Sequence, residues 1–279
     1  MKKYHKQIGV GGLELTNYEK ELVNEVLDSN RLTYGPMTKR FEKEFSKMHD
    51  VKHSLFMNSG TSALHVALAA LKDKHGWSDG DEVIVPAVTF VATSNIVLHN
   101  KMTPVFVDVE SDTYNIDPKL IEEKISSKTR AIIPVHLLGL PAEMNPIITL
   151  AKKYQLEIIE DSAECMFAKY EGKSVGSIGT VGCFSTYVAH FLVTGVGGLA
   201  TTNDHNLAVD MRSLMNHGRD GIYLSATDDA GLAGKELQGV VEKRFSFINI
   251  GHSFRCTEME AAIGVGQLNR SEEIVTRRK

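Results

Sequence analysis

His190 stands in Phe184-Ser-Thr-Tyr-Val-Ala-His190, between Ser185 and the glycine turn Gly195-Val-Gly-Gly198. An imidazole takes or gives a proton near neutral pH, but it has no primary amine to condense with an aldehyde. An aldehyde cofactor held against it would be gripped without a covalent tether. Other residues could do the gripping. In Asn58-Ser-Gly-Thr-Ser-Ala-Leu64, Gly60, Thr61 and Ser62 follow the apolar run Ser54-Leu-Phe-Met57 and open a helical stretch. Their N–H groups and hydroxyls would sit at a positive helix terminus, which makes a phosphate cradle. Ser and Thr are equally the ordinary caps of a helix. Asp161 closes Glu157-Ile-Ile-Glu-Asp, and open α/β sheets place ligands at the carboxyl ends of strands. A carboxylate there either keeps a pyridinium nitrogen protonated or caps the next helix. Phe90 either stacks on a flat aromatic ring or joins the core. Ser185 is a second phosphate hydroxyl or a strand-end serine, and His190 itself could be a core histidine.

These groups need a scaffold to bring them together. Short apolar runs at 82–86, 103–108, 131–136, 157–161, 182–185 and 198–201 alternate with helical patterns at 17–29, 37–47, 62–71, 118–126, 144–154, 205–215 and 257–273. Such alternation predicts an α/β fold with a mixed, mostly parallel sheet and helices on both faces. The segment 221–245 has weak periodicity and reads as a long loop. Residues 257–279 read as one helix that stops without a glycine or proline signal, so the chain is expected to be cut short in mid-element.

Composition excludes several classes. With 279 residues, 42% hydrophobic and 24% charged, the chain can build a substantial core. A net charge of −4 gives no basic excess for a phosphate backbone, so nucleic acid is not an expected partner. The start MKKYHKQIGVGG lacks an apolar h-region and no run of about 18 apolar residues occurs; no membrane role and a cytoplasmic location are expected. Three cysteines, Cys165, Cys183 and Cys256, form no C-x-x-C pair, and the eleven histidines show no ligand spacing. Neither a disulfide framework nor a metal is expected, and the thiols read as buried small hydrophobes.

Taken in order along the chain, the motifs resemble the sugar aminotransferase family named DegT/DnrJ/EryC1/StrS, pyridoxal phosphate-dependent enzymes of fold type I. The resemblance runs from about residue 15 to 279 through Asn58-Ser-Gly-Thr-Ser-Ala-Leu64, Pro86-Ala-Val-Thr-Phe-Val-Ala-Thr93, Pro104-Val-Phe-Val-Asp-Val109, Asn115-Ile-Asp-Pro118, Pro134-Val-His-Leu-Leu-Gly139, Glu160-Asp-Ser-Ala-Glu164, Arg212-Ser-Leu-Met-Asn-His-Gly-Arg219 and Gly251-His-Ser-Phe-Arg255. It implies that Gly60, Thr61 and Ser185, with Ser62 beside them, hold the cofactor phosphate. Phe90 would lie against the ring face, Asp161 on the ring nitrogen and Glu164 near the ring hydroxyl. Ser253 stands where the family usually has an asparagine that reaches the phosphate of a neighbouring subunit, and Val196 replaces the usual glutamate of the glycine turn. His217, Arg219 and Arg255 would face the substrate pyrophosphate or form polar turns, Arg255 from across a dimer interface.

His190 falls on the lysine that tethers the cofactor. That replacement resembles the family's 3-dehydratases, which act on nucleotide-linked 4-keto-6-deoxyhexoses with pyridoxamine 5′-phosphate and use L-glutamate to restore it. A sugar aminotransferase with a changed base and a non-catalytic binder of pyridoxal 5′-phosphate stay open as alternatives. Lys169 and Lys173 lie in a polar hairpin and are poor substitutes for the missing amine. The resemblance further implies a homodimer. It divides the chain into a cofactor-binding large domain at 1–256 and, at 257–279, the start of a helix leading into a truncated C-terminal domain. Without that domain, poor turnover is expected.

Overall fold

In the computed structural model, which describes residues 11–220 and 231–278, the elements follow in this order. Helices α1 (Asn17–Asp28) and α2 (Pro36–Met48) precede β1 (His53–Met57), α3 (Gly60–His75), β2 (Glu82–Pro86), α4 (Ala92–His99), β3 (Thr103–Val107) and β4 (Thr129–Ile132). Then come α5 (Met144–Tyr154), β5 (Glu157–Asp161), the short hairpin β6 (Lys169–Tyr170) and β7 (Lys173–Ser174), β8 (Val181–Ser185) and β9 (Gly198–Thr202). Helices α6 (His205–Leu214), α7 (Gly234–Arg244), α8 (Glu258–Asn269) and α9 (Ser271–Arg278) complete it.

Seven strands make one sheet in the order β1-β9-β8-β5-β4-β2-β3. Pairing is parallel from β3 through β2, β4 and β5 to β8, and antiparallel at β8–β9 and β9–β1. Two reversals restore direction, so among these seven only β9 opposes the rest. The carboxyl ends of β1, β2, β4, β5 and β8 therefore share one edge with the start of β9. Strands β8 and β9 are buried at every residue, as expected where helices cover both faces. On one face α3 packs Leu64, Ala67, Leu68 and Leu71 against Val83, Val85 and Ile159, and Gly76 ends the helix in the left-handed region at φ 62°. A second cluster joins α1, α2 and α8 to Phe56 and Phe184 through Leu22, Val26, Phe41, Phe45, Ala262 and Val265.

Helix α2 illustrates how the core fixes local structure. Its N-cap Gly35 has no side chain to offer. The buried carboxylate of Glu258, from α8, accepts the Met37 N–H at 2.7 Å, the Thr38 N–H at 3.0 Å and the Thr38 hydroxyl. Glu258→Ala should therefore cost about 2 kcal/mol, the loss of a charged cap. An unfolding free energy from denaturant titration lowered by less than a quarter of that would show that the cap is dispensable.

His49 is also buried, stacked on Phe45 with ring centroids 4.0 Å apart. Its Nδ1 meets the Phe45 carbonyl at 3.2 Å, and burial lowers its pKa from 6.5 to about 4. The unfolded chain binds this proton first, so stability is full above pH 6.5 and declines as pH falls towards 4. Burial against His252 lowers His65 to about 4 as well and adds to the same window. We expect the melting temperature to drop through that window and His49→Phe to flatten part of the drop; superimposable profiles would refute the assignment.

Four sequence expectations are corrected. Residues 118–126 form two short 3-10 turns, Pro118–Leu120 and Glu122–Lys124, because the stretch between the Asp117 cap and the extended Ile125 is too short for an α-helix. Part of the expected loop at 221–245 is α7, while 221–230 lie outside the described residues. The single helix at 257–273 is two, broken at Arg270. The strand expected at 131–136 is β4, shifted to Thr129–Ile132. Strand β1 and helix α4 were not among the expected elements. Cys165 and Cys183 are buried, whereas Cys256 is half-buried and donates its S–H to the Met57 carbonyl at 2.8 Å.

Candidate functional site

The shared strand edge collects most of the nominated residues. At the end of β1, Ser59 caps α3 by accepting the Ser62 N–H at 3.0 Å, and the Ser62 hydroxyl donates to Asn58 Oδ1 at 2.7 Å. Ser62 is thus buried in the cap, and Thr61 is the exposed hydroxyl of that first turn. The turn is pressed against the ends of two other strands. A Cβ on Gly60 would lie 2.8 Å from Ser185 Cβ, and one on Gly198 would lie 2.3 Å from the Gly60 nitrogen. Only glycine allows α3, β8 and β9 to meet so closely, which leaves backbone N–H groups and the Ser185 hydroxyl side by side.

Asp161, at the end of β5, is buried. Thr93 Oγ1 donates to its Oδ2 at 2.8 Å and the Ala163 N–H to its Oδ1 at 3.3 Å. Burial raises its pKa above the ordinary carboxylate value, opposed by the Thr93 bond. A carboxylate so poorly solvated is suited to a cationic partner. Thr93 lies in α4, whose first turn bonds back to the Phe90 carbonyl at 3.2 Å. Thr93 thus links Asp161 to the turn that carries Phe90, and Phe90 is 71% exposed, so it is not a core residue. Glu164, half-buried, accepts the Leu138 N–H at 2.8 Å and holds that residue in the left-handed region at φ 53°.

His190 lies in the loop between β8 and β9, half-buried. The neck of the loop is closed by Thr186 N–H to the Gly197 carbonyl at 2.9 Å, Thr194 N–H to the Thr186 carbonyl at 3.0 Å, and a buried hydroxyl pair at 2.6 Å between the same threonines. Since Thr194 Oγ1 donates to the Val196 carbonyl, Thr186 must be the donor within the pair. The His190 N–H returns to the Tyr187 carbonyl, and the Tyr187 N–H to Ser185 Oγ. His190 therefore hangs from the same strand end as Ser185.

Ser253 and Arg255 sit on a segment docked beside β1, where the Asn58 N–H bonds the Phe254 carbonyl at 2.8 Å. Arg255 Nη2 donates to Ser253 Oγ at 2.9 Å and meets His217 Nε2 at 3.1 Å. These three form one polar group a few residues from the α3 turn. Arg219 is not part of it: its guanidinium donates to the Arg244 carbonyl and covers the Phe247 ring at 5.3 Å. Sequence reasoning assigned no role to Thr93 or to the close approach of Gly60 and Gly198 to neighbouring strands.

A helix terminus opened by glycine, a strand-end hydroxyl, a buried carboxylate and an exposed aromatic ring fit pyridoxal 5′-phosphate. With the sheet order they define the pyridoxal phosphate-dependent transferase architecture of fold type I. The model of the DegT/DnrJ/EryC1/StrS aminotransferase family matches residues 14–279, and the chain belongs to that family. GDP-perosamine synthase of Caulobacter vibrioides is 37% identical over 274 residues, covering 98% of this chain and 67% of the synthase. An aminotransferase structure from Psychrobacter cryohalolentis is 38% identical with TM-score 0.81, covering 92% of this chain and 62% of that one. The E. coli GDP-4-keto-6-deoxy-D-mannose-3-dehydratase, solved with bound hydrated PLP, is 28% identical with TM-score 0.88, covering 98% and 70%. The chain thus spans about two thirds of the length of these relatives.

Proposed function

We propose that this chain carries the cofactor site of an enzyme that removes water at C3 of a nucleotide-linked 4-keto-6-deoxyhexose, with His190 as the base. The observation that carries the reading is the imidazole in a pinned loop, on the same strand end as Ser185 and one sheet edge with Asp161. Pyridoxamine 5′-phosphate, when bound, supplies an amine for the sugar ketone and an electron-withdrawing ring. Gly60, Thr61, Ser185 and the first N–H groups of α3 hold its phosphate, Phe90 covers a ring face, and Asp161 keeps the ring nitrogen protonated. Glu164 stands near the ring hydroxyl. His190, as the base, would take a proton from the cofactor's C4′ carbon and could return it to the C3 hydroxyl of the sugar, so that this group would leave as water. His217 and Arg255 are the candidates for the nucleotide phosphates, and Ser253 supports Arg255; Arg219, turned toward Arg244 and Phe247, is not among them. L-Glutamate serves as the amine donor. Two copies of the chain form the complete site, with Arg255 reaching across their boundary.

A second reading, transamination of a nucleotide keto-sugar, is favoured by the higher identity to the perosamine synthase than to the dehydratase. Product mass spectrometry with a nucleotide-linked 4-keto-6-deoxyhexose, glutamate and the cofactor separates the two. A sugar whose C3 hydroxyl is replaced by hydrogen, with ammonia released and glutamate consumed, supports dehydration; a sugar whose ketone has become an amine overturns it. Recovery of unchanged sugar from a cofactor-loaded full-length relative carrying this segment would remove both.

A further inference from the structure

Glu160 precedes Asp161 on β5, and its carboxylate is fully buried. The Ile178 and Gly179 N–H groups reach Oε1 at 2.8 and 2.6 Å, the Gly176 N–H reaches Oε2 at 2.8 Å, and His136 Nε2 reaches Oε2 at 3.1 Å. His136 is fully buried too, and its Nδ1 accepts the Ala142 N–H at 3.0 Å. A backbone N–H only donates, so Nδ1 carries no proton and the neutral ring donates through Nε2. A carboxylate offers about four lone-pair sites, and each here meets a donor. The carboxylate oxygens of Glu160 are therefore fully occupied by fixed donors.

A buried anion costs several kcal/mol to desolvate, and apolar replacements of such groups are often neutral or stabilising. Its retention calls for a geometric reason. Successive side chains on a strand point to opposite faces, so Glu160 turns away from the side that Asp161 uses. The pair ties together three segments, 136–142, β5 and 176–179. The first of these, together with Pro134 just before it, frames Asp161 directly: the Asp161 N–H bonds the Pro134 carbonyl at 2.9 Å and its carbonyl accepts the His136 N–H at 3.0 Å. Thr93 and Ala163 orient the Asp161 carboxylate but do not hold the strand end.

We propose that Glu160 and His136 are positioning residues for Asp161: the locked pair fixes where that carboxylate stands, and thereby how firmly a ring nitrogen opposite it keeps its proton. This rests on the cofactor reading above. In the protein without cofactor, 15N NMR should show His136 as the tautomer with a bare Nδ1 and a proton on Nε2, which the Ala142 and Glu160 bonds require. A doubly protonated ring, or a proton on Nδ1, overturns the lock. His136→Asn keeps an acceptor for Ala142 and loses the donor to Glu160, whereas His136→Gln keeps a donor to Glu160. With pyridoxamine 5′-phosphate bound, the absorbance change that marks loss of the ring-nitrogen proton should move about one pH unit lower in H136N, a tenfold loss of proton affinity, and return most of the way in H136Q. If H136N merely melts earlier while that transition stays put, the positioning role is overturned and the cofactor reading survives. A wild-type chain that takes up no pyridoxamine 5′-phosphate overturns the cofactor reading and this role with it.

Discussion

His190→Asn should lower the rate of sugar conversion by about 10²–10⁴-fold, the range a positioned general base supplies, while cofactor affinity stays nearly unchanged. The separation follows from where the groups lie. The residues proposed to grip phosphate and ring come from α3, the end of β8, the turn before α4 and the end of β5; His190 hangs on a loop whose neck is closed by backbone bonds and the Thr186–Thr194 hydroxyls. Asparagine preserves a polar side chain of smaller reach and leaves those neck bonds intact, so the loss isolates the proton transfer. The acid limb of the pH–rate profile, which reports a base that must be unprotonated, should disappear with it. His190→Lys completes the argument. Restoring a primary amine should allow borohydride to fix the aldehyde cofactor to residue 190, whereas the wild-type chain should release its cofactor after the same treatment. Full activity in H190N, or covalent fixation to wild type, would remove histidine from the chemistry.

Some of this architecture is written locally and some is not. Strand β5 is legible because Glu157-Ile-Ile-Glu-Asp is a short apolar run that parallel neighbours bury on both sides, and its last residue falls where ligands gather. The α3 cap is equally local, since Ser59 and Ser62 are three residues apart. In contrast, the bond that places Thr93 on Asp161 spans 68 residues, and no short-range pattern encodes it. The break between α8 and α9 is likewise a tertiary effect. Arg270 turns its guanidinium to Glu19 Oε1 and to the Glu14 carbonyl, about 250 positions earlier in the chain, and the helix ends there although its composition would continue it. Helix α7 was missed for the opposite reason: none of its residues is buried, so it lacks the apolar stripe by which helices are recognised. At the site, the residue types and their order were visible, but the close approach of Gly60 to Ser185 and the departure of Arg219 toward α7 depend on contacts between distant segments.

The largest loss of stability should come from Arg212→Met, which removes one half of a buried ion pair. Arg212 Nη1 and Nη2 donate to Glu42 Oε1 and Oε2, each at 2.8 Å, and both side chains are less than a tenth exposed. Glu42 also accepts the Phe56 N–H at 2.7 Å, so one carboxylate joins α2, β1 and α6. Fork-to-fork geometry of this kind is among the stronger charged contacts, yet the attraction mainly offsets the cost of taking two charges out of water. Breaking it leaves a buried carboxylate without its guanidinium, at a cost of about 3–5 kcal/mol. For a chain of this size that corresponds to a fall in melting temperature of roughly 10 °C. Glu42→Leu alone should be costly as well, because it strands the guanidinium and leaves the Phe56 N–H without an acceptor. The double variant E42L/R212M removes both charges and should recover most of the loss, with a remainder of about 1–3 kcal/mol for the orphaned Phe56 N–H. A double-mutant cycle by chemical denaturation therefore should give a coupling of at least about 2 kcal/mol between the two positions. Additive single effects would mean that Glu42 and Arg212 act separately, and that the pair does not tie α2 to α6.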